Sequence, residues 1–264
     1  MQSTTDSSES GMELRDLLQD EEFRFRNRRP RGRQAGIEAF HRLAHVFAAQ
    51  PAVLLQELCD AAVEFSGADS AGISLEEAGA NGELRFRWVA ISGSFAAFLN
   101  GTTPRFFSPC GTALSAARPQ LYRVTRKYYD LLGIEAEPIT DGILIPWVAD
   151  SMRGTLWCVS HHSREAFDFD DYKLLNGLAD FAAIAIRHQK QQEILLSRQK
   201  AAAYVEAASE LAHELNNPLQ SLTSALYLLE RGPEDSRRFV KLASAELIRL
   251  ADIVRELLNL KEAA

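Results

Sequence analysis

Apolar positions along this chain change their period twice. From residue 36 they recur every three to four residues, in "IEAFHRLAHVFAA" and again after Pro51 in "AVLLQELCDAAVEFSG". That is the spacing of two amphipathic helices, the second stopped at Gly67. The period then shortens to two in "SAGISLEE" (70–77) and "ELRFRWVAIS" (83–92), separated by the turn-rich "AGANG". "SPCGTALSAARP" (108–119) predicts a short helix opened by Pro109. "QLYRVT", "GILIPWVA" and "GTLWCVS" (154–160) predict three more strands, the last two joined as a hairpin through "DSMRG". Helical spacing returns in "FDFDDYKLLNGLADFAAIAIRH" (167–188), whose acidic first turn suits a helix N-terminus. Only Gly177 and Pro218 interrupt the pattern from there to Gly232. Two helices against a mainly antiparallel sheet, with a third running outward as a connector, predict an α+β domain.

Beyond residue 190 the pattern becomes one coiled-coil-like seam along each of two helices. Ala208, Leu215, Leu222 and Leu229 repeat every seven residues, as do Ala212, Leu219 and Leu226. After "RGPED" a return helix carries Val240, Ala243, Leu247, Leu250, Val254 and Leu257 at alternating spacings of three and four. A two-helix hairpin cannot cover its own apolar stripe. Dimerisation into a four-helix bundle is the economical solution, and a homodimer is expected.

Charge and composition narrow the function class. The net charge of −7 argues against nucleic acid as a partner. No apolar run approaches the ~18 residues of a membrane span, so no membrane insertion is expected. Cys59, Cys110 and Cys158 are scattered and odd in number, which suits a reducing cytoplasm rather than a disulfide framework. Residues 1–34, with six arginines between 24 and 33, read as a flexible Arg-rich tail. His41 and His45 stand at i and i+4 without a third ligand, so no metal is expected. His161 and His162, at a strand end, read as solvent-exposed. Cys110, beside a helix start, reads as a buried packing residue, with a low-pKa, redox-sensitive thiol as the alternative.

"SELAHELNNPL" (209–219) holds the candidate chemistry. Pro218 stands in a helical pattern where it typically costs ~3 kcal/mol. It removes the partner of the Glu214 carbonyl and is expected to bend the helix above His213. His213 sits beside the seam rather than in it, Glu214 is its neighbour, and Asn217 lies one turn on along the same face. A zinc-protease reading fails because position 217 is not histidine. A polar residue on a solvated face and a nucleophile for phosphoryl transfer remain.

The stretch "GILIPWVADSMRGTLWCVSHHSREAFDFDDYKLLNGLADFAAIAI" (142–186), with "SPCGTAL", is similar to GAF domains, small-molecule-binding or regulatory sensor modules. "LAHELNNPLQSL" (211–222) on a hairpin strongly resembles the dimerisation and histidine-phosphotransfer domain of bacterial two-component sensor kinases. The resemblance implies a GAF sensor over 35–190 and a helical linker with a HisKA-like hairpin over 191–264. It makes His213 the phosphoacceptor, Glu214 the acid/base, Asn217 the group that positions water in the phosphatase reaction, and Pro218 the bend used in switching. It implies a response-regulator receiver domain as partner. Covalent bilin is not expected, because Cys158 is followed by Val159 and Cys110 by Gly111; the GAF ligand stays open. None of the fifteen glycines is spaced G-x-G and no G-x-x-x-x-G-K loop occurs. No cofactor is therefore expected within the chain, ATP and Mg entering only through a separate histidine-kinase ATPase domain, and the chain is expected to be either a truncated sensor kinase or a protein phosphorylated in trans. A non-catalytic dimeric scaffold gated by its sensor is the alternative function.

Overall fold

The computed structural model describes residues 10–28, 33–231 and 236–262. The chain forms two compact units, Met1–Gln191 and Gln192–Ala264.

The first unit is built on one seven-stranded sheet. Its strands are β1 (Met12–Asp16), β2 (Ser70–Ala78), β3 (Leu84–Gly93), β4 (Thr102–Pro104), β5 (Gln120–Val124), β6 (Ile139–Ala149) and β7 (Met152–Ser160), in the spatial order β1-β5-β6-β7-β2-β3-β4. Every pairing is antiparallel. The helices are α1 (Glu21–Arg24), α2 (Arg33–Ala49), α3 (Leu54–Ser66), α4 (Pro109–Ala116), α5 (Arg126–Leu132), α6 (Phe169–Arg231) and α7 (Ser236–Glu262). Gly67 ends α3 in the left-handed conformation, φ +63°, where a Cβ would be strained.

Side-chain alternation along the central strands sorts the interior into two cores. On β7, Leu156 and Cys158 enter one core while Trp157 and Val159 enter the other. Leu58, Ala62, Leu175, Leu178 and Ala182, from α3 and α6, fill the first, and Cys110, Ala113, Tyr128 and Tyr129, from α4 and α5, fill the second. Both faces of the sheet are covered, so β6 and β7 read as nearly continuous apolar runs. The α+β architecture follows the sequence pattern. Four short elements, β1, α1, β4 and α5, escaped it.

The N-terminal segment corrects the expectation of a flexible tail. β1 adds to the sheet edge beside β5, pairing Met12 with Val124 and Asp16 with Gln120. Asp20 caps α1 by accepting from the Phe23 N–H at 2.7 Å, and Leu17 and Phe23 are fully buried. Beyond them Arg26 enters the interior as one half of a bidentate ion pair with Asp141, at 2.7 and 3.1 Å. Its guanidinium also donates to the carbonyls of Phe167 (2.9 Å) and Arg164 (3.1 Å). Residues 12–26 are held because strand pairing and a buried ion pair stand in for a large apolar content. Residues 1–9 and 29–32 of the expected tail lie outside the described residues.

In the second unit the burial pattern divides the seam predicted from sequence into two. Leu211, Leu215, Pro218, Leu222, Ala225 and Leu229 on α6 form the covered stripe, Pro218 and Ala225 being buried and the others half-buried. On α7 the matching half-buried positions are Phe239, Ala243, Glu246, Leu250 and Ile253. Leu219 and Leu226 on α6, with Val240, Leu247 and Val254 on α7, form a separate stripe that is roughly half exposed at each position. The sequence read both stripes as one seam because each repeats every seven residues.

Candidate functional site

α6 continues through Pro218 from Phe169 to Arg231. An α-helix advances about 100° per residue, so His213 falls almost opposite the covered stripe through Leu215, Pro218 and Leu222. It is exposed, as are Glu214 and Asn217. The same geometry puts Asn217 about 40° around from His213 and one turn along. An imidazole, a carboxylate and an amide thus share one solvent-facing segment that a macromolecular partner can reach. Pro218 is buried, so the residue that takes an N–H out of the helix ladder also belongs to its packed face. All four residues predicted from sequence lie within two turns of one helix.

The first unit holds a cavity of about 60 Å³ on the α4–α5 side of the sheet. Its walls include Trp88, Phe95, Tyr122, Tyr128, Leu144 and Trp157, and no charged side chain lines it. Gly72 makes room for the Trp157 ring, which would lie 2.3 Å from a Cβ there. The Trp157 indole N–H donates to Ser74 Oγ at 3.1 Å. The cavity suits a small uncharged apolar occupant, since a carboxylate or phosphate inside it would be left without a counter-ion. Burial pushes the phenols of Tyr128 and Tyr129 upward in pKa, so both stay protonated near neutrality.

Cys110 lines this cavity and is fully buried in the thiol's surroundings, where desolvation raises its pKa despite hydroxyls from Thr155 and Ser74. The packing reading stands and the low-pKa alternative does not. Cys158 lies in the core on the opposite face of the sheet, with burial raising its thiol as well. His41 and His45 are both exposed, and among the described residues no group of three His, Cys, Asp or Glu side chains could hold a metal ion. No helix among the described residues is long and apolar enough to cross a membrane.

His161 is the main correction among the histidines. Its neighbour His162 is exposed as expected, but His161 is only 8% exposed. A polar residue at a strand end reads as solvated unless its partners are known. Here they come from residues 69, 94 and 138. The cavity-lining aromatics also went unrecognised in the sequence. The run of tyrosines in "YRVTRKYYD" was the available signal, but it does not say which ring faces inward.

The family model for the GAF domain matches residues 48–187, and that for the His Kinase A (phospho-acceptor) domain matches residues 204–263. No curated protein matches the chain. Among solved structures, the chain is similar to the GAF domain of a phosphoenolpyruvate-protein phosphotransferase from Coxiella burnetii, at 16% identity and TM-score 0.49, covering 61% of this chain and 98% of that one. A free methionine-R-sulfoxide reductase from Neisseria meningitidis, solved with its substrate, matches at 18% identity and TM-score 0.47, covering 62% and 95%. The phycoerythrobilin-bound GAF domain of a cyanobacterial phytochrome matches at 12% identity and TM-score 0.45, covering 61% and 98%.

Proposed function

Because this chain belongs to the GAF domain family and carries a His Kinase A (phospho-acceptor) domain, we propose that it passes phosphoryl groups through His213 under control of its sensor unit. The observation that carries this reading is the exposed His213–Glu214–Asn217 segment, turned away from the covered stripe of its own hairpin.

In the forward step an imidazole nitrogen of His213 attacks the terminal phosphorus of ATP. The N–P bond forms, the P–O bond to ADP breaks, and Glu214 accepts the ring proton. ATP and Mg are presented by a histidine-kinase ATPase domain. In the second step an aspartate carboxylate of a response-regulator receiver domain attacks the same phosphorus, and the N–P bond breaks. Asn217 orients water when the receiver is dephosphorylated, and the bend at Pro218 lets the helix occupy two states.

The test is direct. Incubated with a phosphorylated receiver domain or a family ATPase domain plus ATP, the chain is expected to gain one acid-labile, base-stable phosphate, located at His213 by peptide mass. His213→Ala is expected to gain none. Equal labelling of the two proteins would sink the assignment.

The His Kinase A domain implies dimerisation, and the exposed stripe of Leu219, Leu226, Val240, Leu247 and Val254 is the proposed interface. Leu226→Glu with Leu247→Glu is expected to lower the mass seen by light scattering to that of a monomer while helicity is kept, because each charge would be buried without a partner. An unchanged dimer would move the interface elsewhere.

A further inference from the structure

β3 ends in a tight reversal that holds a serine against a histidine. Gly93 has φ +86°, and a Cβ on it would lie 2.2 Å from the Asp69 carbonyl oxygen, so only glycine lets the chain turn this closely. The next residue is pinned by its backbone: the Ser94 N–H donates to the Asp69 carbonyl at 2.9 Å. The Phe95 N–H donates to Ser70 Oγ at 3.2 Å. Ser94 itself is exposed, and its hydroxyl lies 2.9 Å from His161 Nε2.

The other side of the imidazole fixes the direction of that hydrogen bond. His161 Nδ1 lies 2.8 Å from the Pro138 carbonyl oxygen, which can only accept. In the neutral ring Nδ1 therefore carries the hydrogen, Nε2 presents its lone pair, and the Ser94 hydroxyl donates to it. The ring cannot easily turn away. It packs on Phe95 with centroids 4.9 Å apart, and the main-chain N–H of His161 donates to Asp69 Oδ2 at 2.7 Å. Thr140 Oγ1 donates to the His161 carbonyl. A reachable hydroxyl, a base that takes its proton, and an acceptor that fixes the base's tautomer are the parts of an activated serine nucleophile.

We propose that Ser94 and His161 form a nucleophile–base pair that accepts an acyl group from neutral activated carboxylic esters, a chemistry independent of the phosphoacceptor hairpin. The Ser94 Oγ–acyl carbon bond forms and the bond from that carbon to the ester oxygen breaks. The hydroxyl proton passes to His161 Nε2 and then to the departing alkoxide or phenoxide. The Asp69 carboxylate beside the pair disfavours anionic donors.

The full chain treated with a fluorophosphonate probe tests the pair, since that reagent forms the Oγ–P bond with loss of fluoride and the hydroxyl proton. One probe group on Ser94, located by peptide mass, is expected, with none on Ser94→Ala, an exposed position whose change leaves the fold intact. His161→Ala is expected to slow labelling by ~10²-fold or more, with partial rescue by added imidazole. The release of 4-nitrophenol from 4-nitrophenyl acetate should follow the same order. Absence of label on Ser94 of the unaltered chain overturns the proposal, and so does equally fast labelling of a folded His161→Ala. Should that variant fail to fold, the comparison of the unaltered chain with Ser94→Ala decides alone.

Discussion

Glu214→Ala is expected to slow the appearance of phosphate on His213 by ~10²-fold or more, while Asn217→Ala leaves that rate within a few-fold of the unaltered chain. The split follows from what each group can do. Glu214 adjoins the histidine and is the carboxylate available to take the imidazole proton as the N–P bond forms. Asn217 has no proton-accepting group of suitable basicity, and its amide can only orient a hydrogen-bonding partner such as water. Its loss is therefore expected in the reverse direction, as slower dephosphorylation of the receiver domain. Time courses of phosphohistidine formation and of receiver phosphate loss, measured on the same three proteins, separate the two roles. If Asn217→Ala blocks labelling as severely as Glu214→Ala, the assigned division of labour is wrong.

Asp141→Ala is expected to cost the sensor unit ~3–5 kcal/mol, because it strands the buried Arg26 guanidinium without its carboxylate. The Arg26 and Asp141 side chains are 2% and 0% exposed. Asp141 also accepts from the Ala166 N–H at 2.9 Å, so two chain segments lose a common partner at once. For a unit of this size the melting transition should fall by roughly 6–20 °C. Arg26→Met combined with Asp141→Leu should be much milder, since the pair leaves together and no charge stays buried. Calorimetry on the three variants checks this. A single Asp141→Ala variant melting within a degree of the unaltered chain would show that the ion pair does not hold the N-terminal segment in place.

These two predictions come from opposite kinds of information. The candidate segment at residues 213–218 was legible in the sequence because it is local: a histidine, a carboxylate, an amide and a proline within six positions of one helix need no distant contact to be placed on it. The same holds for the stop at Gly67, for the alternation in β2 and β3, and for the hairpin of β6 and β7, which the intervening "DSMRG" turn announces. Arg26 is the contrary case. Six arginines stand between residues 24 and 33, and nothing in their neighbourhood says which one finds a carboxylate 115 positions away.

The sequence by itself determined the order of the longer helices and strands, the α+β class of the first unit, the helical character of the second, and the phosphoacceptor candidate. Periodicity and short-range spacing encode the first three, and the fourth rests on the resemblance of "LAHELNNPLQSL" to the histidine-phosphotransfer domain. Only the tertiary structure decided that residues 12–26 belong to the folded unit, which seven-residue stripe is covered and which is open, where the aromatic cavity lies, and that His161 is held against Ser94. Those outcomes depend on pairings between residues far apart in the chain. A strand as short as "MELRD" carries too little alternation to announce its partner. A heptad stripe reads the same whether its own hairpin or another subunit covers it. A histidine is solvated or locked according to carbonyls, hydroxyls and carboxylates that only folding brings within 3 Å.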